Sequence, residues 1–405
     1  MIEEQGGEDT DFIDPNDILA EVPDDGDIPM EEEDDGEEQK DELGSHETSE
    51  NLVSGFHGHA GKSVFVVSCH PTQPLAVSGG EDDLGYIWDI TDGETIVRLT
   101  GHSDSVTSAT FSSDGEMAAT GGMDGKVRVW RRHGKEDYKH WEFLTELQGP
   151  DEVTWLRWHP KGTVLLAGSN DSTVWLWQLP SGTTMQVLSG HTGAVQCGEF
   201  TPDGKRIITA CADGFLILWD PRSPTPIFRL GPRDARFDLG AITSLGVNSS
   251  STLAVVGGES GGIRIVSLSK GVVVGALAGH TEDESVEAIG FIELPGGAAV
   301  VSAGTDGQAH IWDLNTMRKR ATLEHEDAIT AVLSHAAPRS HLVTTASADR
   351  TLKTWDARTG KLLSDHKGHR GAVLGASIGL EGSVIVSAGD EGDCYVFTIE
   401  TDGDQ

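Results

Sequence analysis

The sequence predicts an all-β fold, a single closed β-propeller of eight blades preceded by a disordered acidic tail. Three observations predict it: a histidine that recurs unit by unit, an acid and an aromatic six residues apart, and a strand count that closes only as a ring. Gly58-His59, Gly101-His102, Gly190-His191, Gly279-His280 and Gly368-His369 carry the first, and one further unit keeps His325 alone. The second holds in Asp82/Trp88, Asp124/Trp130, Asp171/Trp177, Asp213/Trp219, Asp306/Trp312, Asp349/Trp355 and Glu391/Phe397. A hydroxyl stands four residues before the acid at Ser78, Thr120, Thr209, Ser302, Thr345 and Ser387. Self-similarity at about 40 residues marks an architecture in which each unit buries its apolar face against the next. The 51 glycines among 405 residues, against an average of about 7%, suit many tight turns between short strands.

Each unit holds three strands, and a fourth precedes each Gly-His position, as in Ile96-Val97-Arg98-Leu99. The first such strand, near Leu52 to Phe56, precedes any complete unit, and the last unit ends without one. The count closes if the N-terminal strand completes the final blade, which removes long exposed edges. Two units are degenerate. At 150–177, Pro150 replaces the histidine and Ala167 the hydroxyl; at 240–266, Ser260 and Val266 replace aspartate and tryptophan. Both keep the period and the strand pattern, as in Leu253-Ala254-Val255-Val256, so both count as blades. Seven blades, with one degenerate unit collapsed into a loop, is the competing count.

Over residues 51–401 this pattern resembles the WD-repeat family. In that family the histidine, hydroxyl, aspartate and tryptophan of a blade form a hydrogen-bonded tetrad, which the resemblance implies here. The chemistry is consistent, because buried polar groups must be paired. The acid orients the imidazole, the hydroxyl bridges, and the indole N–H finds an acceptor.

Charge divides the chain into residues 1–50, 51–401 and 402–405. The first 50 residues hold 22 Asp/Glu against one Lys, a formal −21; the rest hold 44 against 28 basic residues, a formal −16. A segment this acidic cannot bury enough apolar surface to offset its ordering entropy and is expected to be disordered. Phe12, Ile13, Ile18 and Leu19 form its one apolar patch, an anchor or simply part of a solubilising tail. Nucleic acid is disfavoured as a direct partner, since phosphates are repelled, and a basic polypeptide is the complement. Cys69, Cys197, Cys211 and Cys394 form no CxxC pair, so neither a zinc site nor a disulfide framework is suggested. A reducing cytosolic or nuclear setting fits. No apolar run reaches 18 residues, and the start is not basic and apolar, so membrane and secretory readings have little support.

The residues that could carry chemistry read as scaffold. Six of the 16 histidines take tetrad positions, and His57, His133, His140 and His366 read as solvated loop or strand-end residues. No GxSxG, HExxH or phosphate loop occurs, and no enzyme, cofactor or metal is expected. The remaining place for function is the face bearing the Gly-His and acid turns. It offers Glu81, Asp83, Asp104, Asp151, Glu152, Glu259, Glu282, Asp283, Glu284, Glu326, Asp327 and Asp390, against chiefly Lys62, Arg350 and Arg370. Polar turns are ordinary, yet the sign bias suits a Lys/Arg-rich partner. Trp155 aligns with Val66, Ser108, Cys197, Ser244, Ala288, Ala331 and Gly375 on the innermost strands. It is expected at the central channel, either as an exposed anchor for a partner or as a plug.

The acidic N-terminus, the runs AVSGGEDDLGYIWD (76–89), WLRWHPKGTVLLAG (155–168) and WDARTGKLLSDHKGH (355–369), and the location of the degenerate units resemble one subfamily. It is that of the angio-associated migratory cell protein and its fungal counterpart, a dedicated ribosomal-protein chaperone. The resemblance implies a monomeric propeller that captures the N-terminal segment of a newly made basic large-subunit ribosomal protein and escorts it to assembly. The alternative is a general scaffold, such as a ubiquitin-ligase substrate receptor or a signalling adaptor in cell migration.

Overall fold

The computed structural model describes residues 48–134, 138–294 and 297–399. The described residues form eight four-stranded antiparallel sheets and one 3-10 turn at Leu380–Gly382. Blades 1 to 7 span residues 64–99, 106–147, 153–189, 195–230, 242–277, 286–324 and 329–367. Blade 8 joins Val373–Gly379, Val384–Gly389 and Cys394–Thr398 to the N-terminal strand Leu52–Phe56. Each inner strand lies against that of the next blade, and the last lies against the first, so the ring is closed. Both degenerate units are complete blades, which settles the count at eight. The patch at Phe12, Ile13, Ile18 and Leu19, most of the acidic tail and the C-terminal tail lie outside the described residues.

Strand composition follows position. Second strands are buried at nearly every residue, as in Leu75–Gly80 and Val384–Gly389, and accordingly read as apolar runs. Outer strands face solvent and read as mixed, as in Arg318–Glu324. Every inner strand slips register near its start, between Val64 and Val66 in blade 1 and between Val373 and Gly375 in blade 8. Such bulges strengthen the local twist a ring of radial sheets needs.

Closure rests on Leu52–Phe56, which pairs with the last strand from Leu52↔Phe397 to Phe56↔Cys394. Phe56 then stacks on Trp88 of blade 1, with centroids 4.9 Å apart and planes within 6°. Asn51 Nδ2 reaches Thr398 O at 3.2 Å and His366 Nδ1 at 2.6 Å. His366 is not solvated, contrary to the sequence expectation. It is fully buried and starts a polar chain through Thr354 and Thr344 to His335, each step 2.9 Å. Its neighbours in sequence, Asp365 and Lys367, gave the impression of a wet strand end; the alternation of the outer strand turns the imidazole inward.

The expected polar clamp forms in blades 1, 2, 6, 7 and 8. His59, His102, His280, His325 and His369 place Nδ1 2.5–3.1 Å from Asp82, Asp124, Asp306, Asp349 and Glu391. Their Nε2 atoms lie 2.6–2.9 Å from the hydroxyls of Ser78, Thr120, Ser302, Thr345 and Ser387. The indoles of Trp219, Trp312 and Trp355 donate to Thr209, Ser302 and Thr345 at 2.9 Å. Trp88 Nε1 is buried without a partner. In degenerate blade 5, buried Leu239 fills the imidazole's place: it abuts Gly258 as His59 abuts Gly80.

Two outcomes are expected. Trp88→Phe and Trp312→Phe remove similar ring volume, but only the second breaks a buried hydrogen bond. Urea unfolding should find Trp312→Phe the costlier by about 1 kcal/mol. Secondly, burial pushes the pKa values of His191, His310, His335 and His366 down to about 4, whereas in the unfolded chain they titrate near about 6.5. The unfolded state therefore binds protons first. This stability is fully present above pH 6.5 and is lost as pH falls towards 4. The urea midpoint should drop between pH 7.5 and pH 5; a flat profile would contradict neutral buried imidazoles.

Candidate functional site: an acidic face

At one end of every blade, the connection entering the inner strand meets the turn between the second and third strands. One backbone bond joins them eight times. Glu81, Met123, Asn170, Ala212, Glu259, Thr305, Ala348 and Asp390 donate their N–H groups to the carbonyls of Ser63, Ser105, Glu152, Ala194, Ala241, Ser285, Ala328 and Ala372, at 2.8–3.0 Å. The bond survives in blades 3 and 5, so this face does not depend on an intact tetrad. It brings both sets of turns, and therefore all twelve candidate carboxylates, to one end of the ring.

The carboxylates differ in how far they are committed. Asp83, Asp151, Glu282, Asp283 and Glu326 have no side-chain partner among the described residues. Glu81 faces Lys62 at 3.5 Å. Glu152 accepts from Asn170 Nδ2 at 3.1 Å, Glu259 from Ala241 N–H at 3.0 Å, and Glu284 from the Thr305 hydroxyl. Asp104 and Asp327 accept from the next residue's N–H, both at 2.7 Å. Asp390 accepts from Ser63 Oγ at 2.8 Å across the seam between blades 8 and 1. Asp83 and Asp283 sit at φ 60° and 67°, where aspartate is better tolerated than most residues, so turn geometry also favours them.

The face is not acidic all round. Blade 4 contributes Thr192 and Ala212 at these positions, and the connection 231–241 into blade 5 mixes Arg233 and Arg236 with Asp234 and Asp238. Arg229 stacks on the Phe215 ring at 3.6 Å, Arg236 pairs with Asp234 at 2.8 Å, and Arg264 donates to Arg236 O and Asp238 O. Arg229, Arg233, Asp234, Thr192 and Phe215 help line a cavity of about 670 Å³. Counting only the short turns overlooked this arc, although Arg233 and Arg236 were visible in an unusually long connection. Met123 was also overlooked. It holds the same position as Glu81 and Asp390 and is 45% exposed, an adaptable apolar contact within the acidic surface.

Trp155 does not face solvent in the channel. It is 6% exposed and wedged between blades 3 and 4, with Nε1 donating to Val195 O at 3.0 Å. Gly168 and Gly198 make the room: an added Cβ would come within 2.3 and 2.5 Å of the indole. Gly198 was the available signal, since other units carry Val67, Ala109, Leu156 or Leu245 there. One residue on, Glu199 is a buried carboxyl that sequence reading missed. Burial pushes its pKa up to about 7 against the pull of Arg157 and the Val247 N–H, and its Oε1 has no partner.

Residues 50–89, 93–131, 141–178, 182–220 and 317–356 match the family model of the WD domain, G-beta repeat. The chain is 34% identical over 378 residues to the angio-associated migratory cell protein of Homo sapiens, covering 90% of this chain and 84% of that one. This chain belongs to the angio-associated migratory cell protein family. It is also 25% identical over 383 residues to the ribosome assembly protein SQT1 of Saccharomyces cerevisiae, covering 87% of each. The crystal structure of Chaetomium thermophilum Sqt1 bound to the N-terminus of ribosomal protein L10 matches with a TM-score of 0.81 at 27% identity, over 87% of this chain and 100% of that one. Each matched WD segment begins on an outer strand and runs into the next blade. The matched repeat is offset by one strand from the structural blade, in keeping with closure by the N-terminal strand. Blades 5, 6 and 8 fall largely outside the matched segments and keep the same geometry.

Gly198→Ala should press on the indole and destabilise the chain by about 1–3 kcal/mol in urea unfolding. No cost would mean that Trp155 does not occupy the blade interface.

Proposed function

We propose that this propeller is a chaperone that takes the N-terminal segment of a basic large-subunit ribosomal protein on its acidic face and releases it at ribosome assembly. One observation carries the reading: carboxylates without partners crowd the turn face of a ring that resembles a propeller bound to the N-terminus of ribosomal protein L10. A free ribosomal protein exposes cations meant for RNA phosphates. Carboxylates stand in for those phosphates, steer the partner to the face and shield it from wrong contacts. The work is done by binding, in the cytosol or the nucleus.

The test is binding of a synthetic N-terminal peptide of that ribosomal protein to the full chain and to a triple variant, Glu81→Lys, Asp104→Lys and Glu282→Lys. Affinity should fall at least tenfold in the variant with its thermal midpoint unchanged. It should also fall steeply with salt, because the screening length shortens from about 10 Å at 0.1 M to about 3 Å at 1 M. Unchanged affinity removes this face as the site. Salt-resistant capture of several unrelated proteins, with no ribosomal protein among them, moves the reading to a general scaffold.

A further inference from the structure

Blade 4 has every tetrad residue, His191, Thr209, Asp213 and Trp219, yet its clamp is broken. His191 Nε2 lies 2.7 Å from Thr209 Oγ1, which also receives the Trp219 indole at 2.9 Å. The other ring nitrogen, Nδ1, is buried with no partner, in a residue only 7% exposed. The difference lies two residues before the acid, where blade 7 keeps its clamp because Ser347 turns its hydroxyl away to Asp327 O at 3.0 Å. Blades 1, 2, 6 and 8 have Gly80, Gly122, Gly304 and Gly389 there, and a Cβ on any of them would lie 2.4–3.0 Å from the imidazole Nδ1. The same Cβ would also lie within 3.4 Å of the acid's carboxylate in each. That position therefore points into the gap between imidazole and carboxylate. In blade 4 it is Cys211, whose thiol bonds Asp213 Oδ1 and displaces the imidazole from it.

We propose that His191 Nδ1, Cys211 Sγ and the Asp213 carboxylate form a transition-metal site that takes Zn²⁺ or an ion of similar softness. The three donor atoms lie within 4.8 Å of one another. Imidazole, thiolate and carboxylate suit zinc, whereas Mg²⁺ and Ca²⁺ prefer oxygen sets. Two anionic donors neutralise a divalent ion, which suits a buried position. Binding expels the Cys211 proton to solvent, one proton per ion. Thr209 then accepts the Nε2–H of His191, orienting the ring as an outer hydrogen-bond partner does in metal sites. The Thr192 N–H holds Asp213 Oδ2 at 3.2 Å. Thr192 and Phe215 also line the cavity of about 670 Å³. Arg229 opposes a cation here, but it is exposed and held on the Phe215 ring.

A second three-donor cluster, His280, Asp306 and His310, is a useful contrast. His280 Nδ1 and Nε2 engage Asp306 and Ser302, and His310 Nε2 engages Gly279 O at 2.8 Å. No orphaned nitrogen remains there.

The probe is Co²⁺ added to the full, chelator-treated chain, followed by Zn²⁺. A thiolate-to-cobalt charge-transfer band and tetrahedral d–d bands should appear, and zinc should abolish them with a dissociation constant of about 1 µM or tighter. Zinc should also raise the thermal midpoint. Cys211→Gly installs the residue found in five other blades, so it should fold, let His191 reach Asp213, and lose both the bands and the zinc response. Cys69, Cys197 and Cys394 remain in that variant, so a band that persists in it overturns the proposal. So does the absence of any thiolate band in the parent chain.

Discussion

A ring of sheets holds only if its last blade finds a fourth strand, and here that strand comes from the other end of the chain. Leu52–Phe56 pairs with Cys394–Thr398 and carries Phe56 onto Trp88, so one short segment satisfies an edge and packs the seam between blades 8 and 1. An unpaired last blade would leave backbone groups without partners and a template for association. The positions of the inner strands, and with them the eight turns of the acidic face, follow from that closure.

Within the closed ring the polar clamps are reinforcements. Blade 5 replaces the imidazole with Leu239, and blade 3 has Pro150 in its place, yet both keep the backbone bond that joins the two turns. Main-chain geometry sets the shape, and the tetrads satisfy the polar groups that a blade chooses to bury. This separation explains how blade 4 tolerates a thiol in the middle of its clamp. It also lets the turn residues vary in charge without altering the scaffold beneath them.

The face itself is a graded electrostatic surface. Its free carboxylates lie on blades 1, 3, 6 and 7, several others are already held by hydrogen bonds, and blade 4 with the connection after it presents arginines. Such a surface draws cations to the carboxylate-rich blades more than to the arc at blade 4, where arginines and aspartates are mixed. Met123 adds an apolar contact inside the acidic region.

The sequence by itself determined the all-β class, the repeat, the ring closure and the collection of carboxylates on one end. Each of these is written in local spacing, and a period of about 40 residues repeats the same local physics eight times. Trp155, His366 and Cys211 were decided only by the tertiary structure. Trp155 is covered because Gly198 of the next blade leaves room for it, and His366 is buried by its pairing across blade 7 to Asn51 from the N-terminal segment. Cys211 matters because the fold places it between His191 and Asp213. In each case the deciding neighbour lies in another strand or another blade, and side-chain burial is a property of that contact, which spacing along one chain segment does not encode.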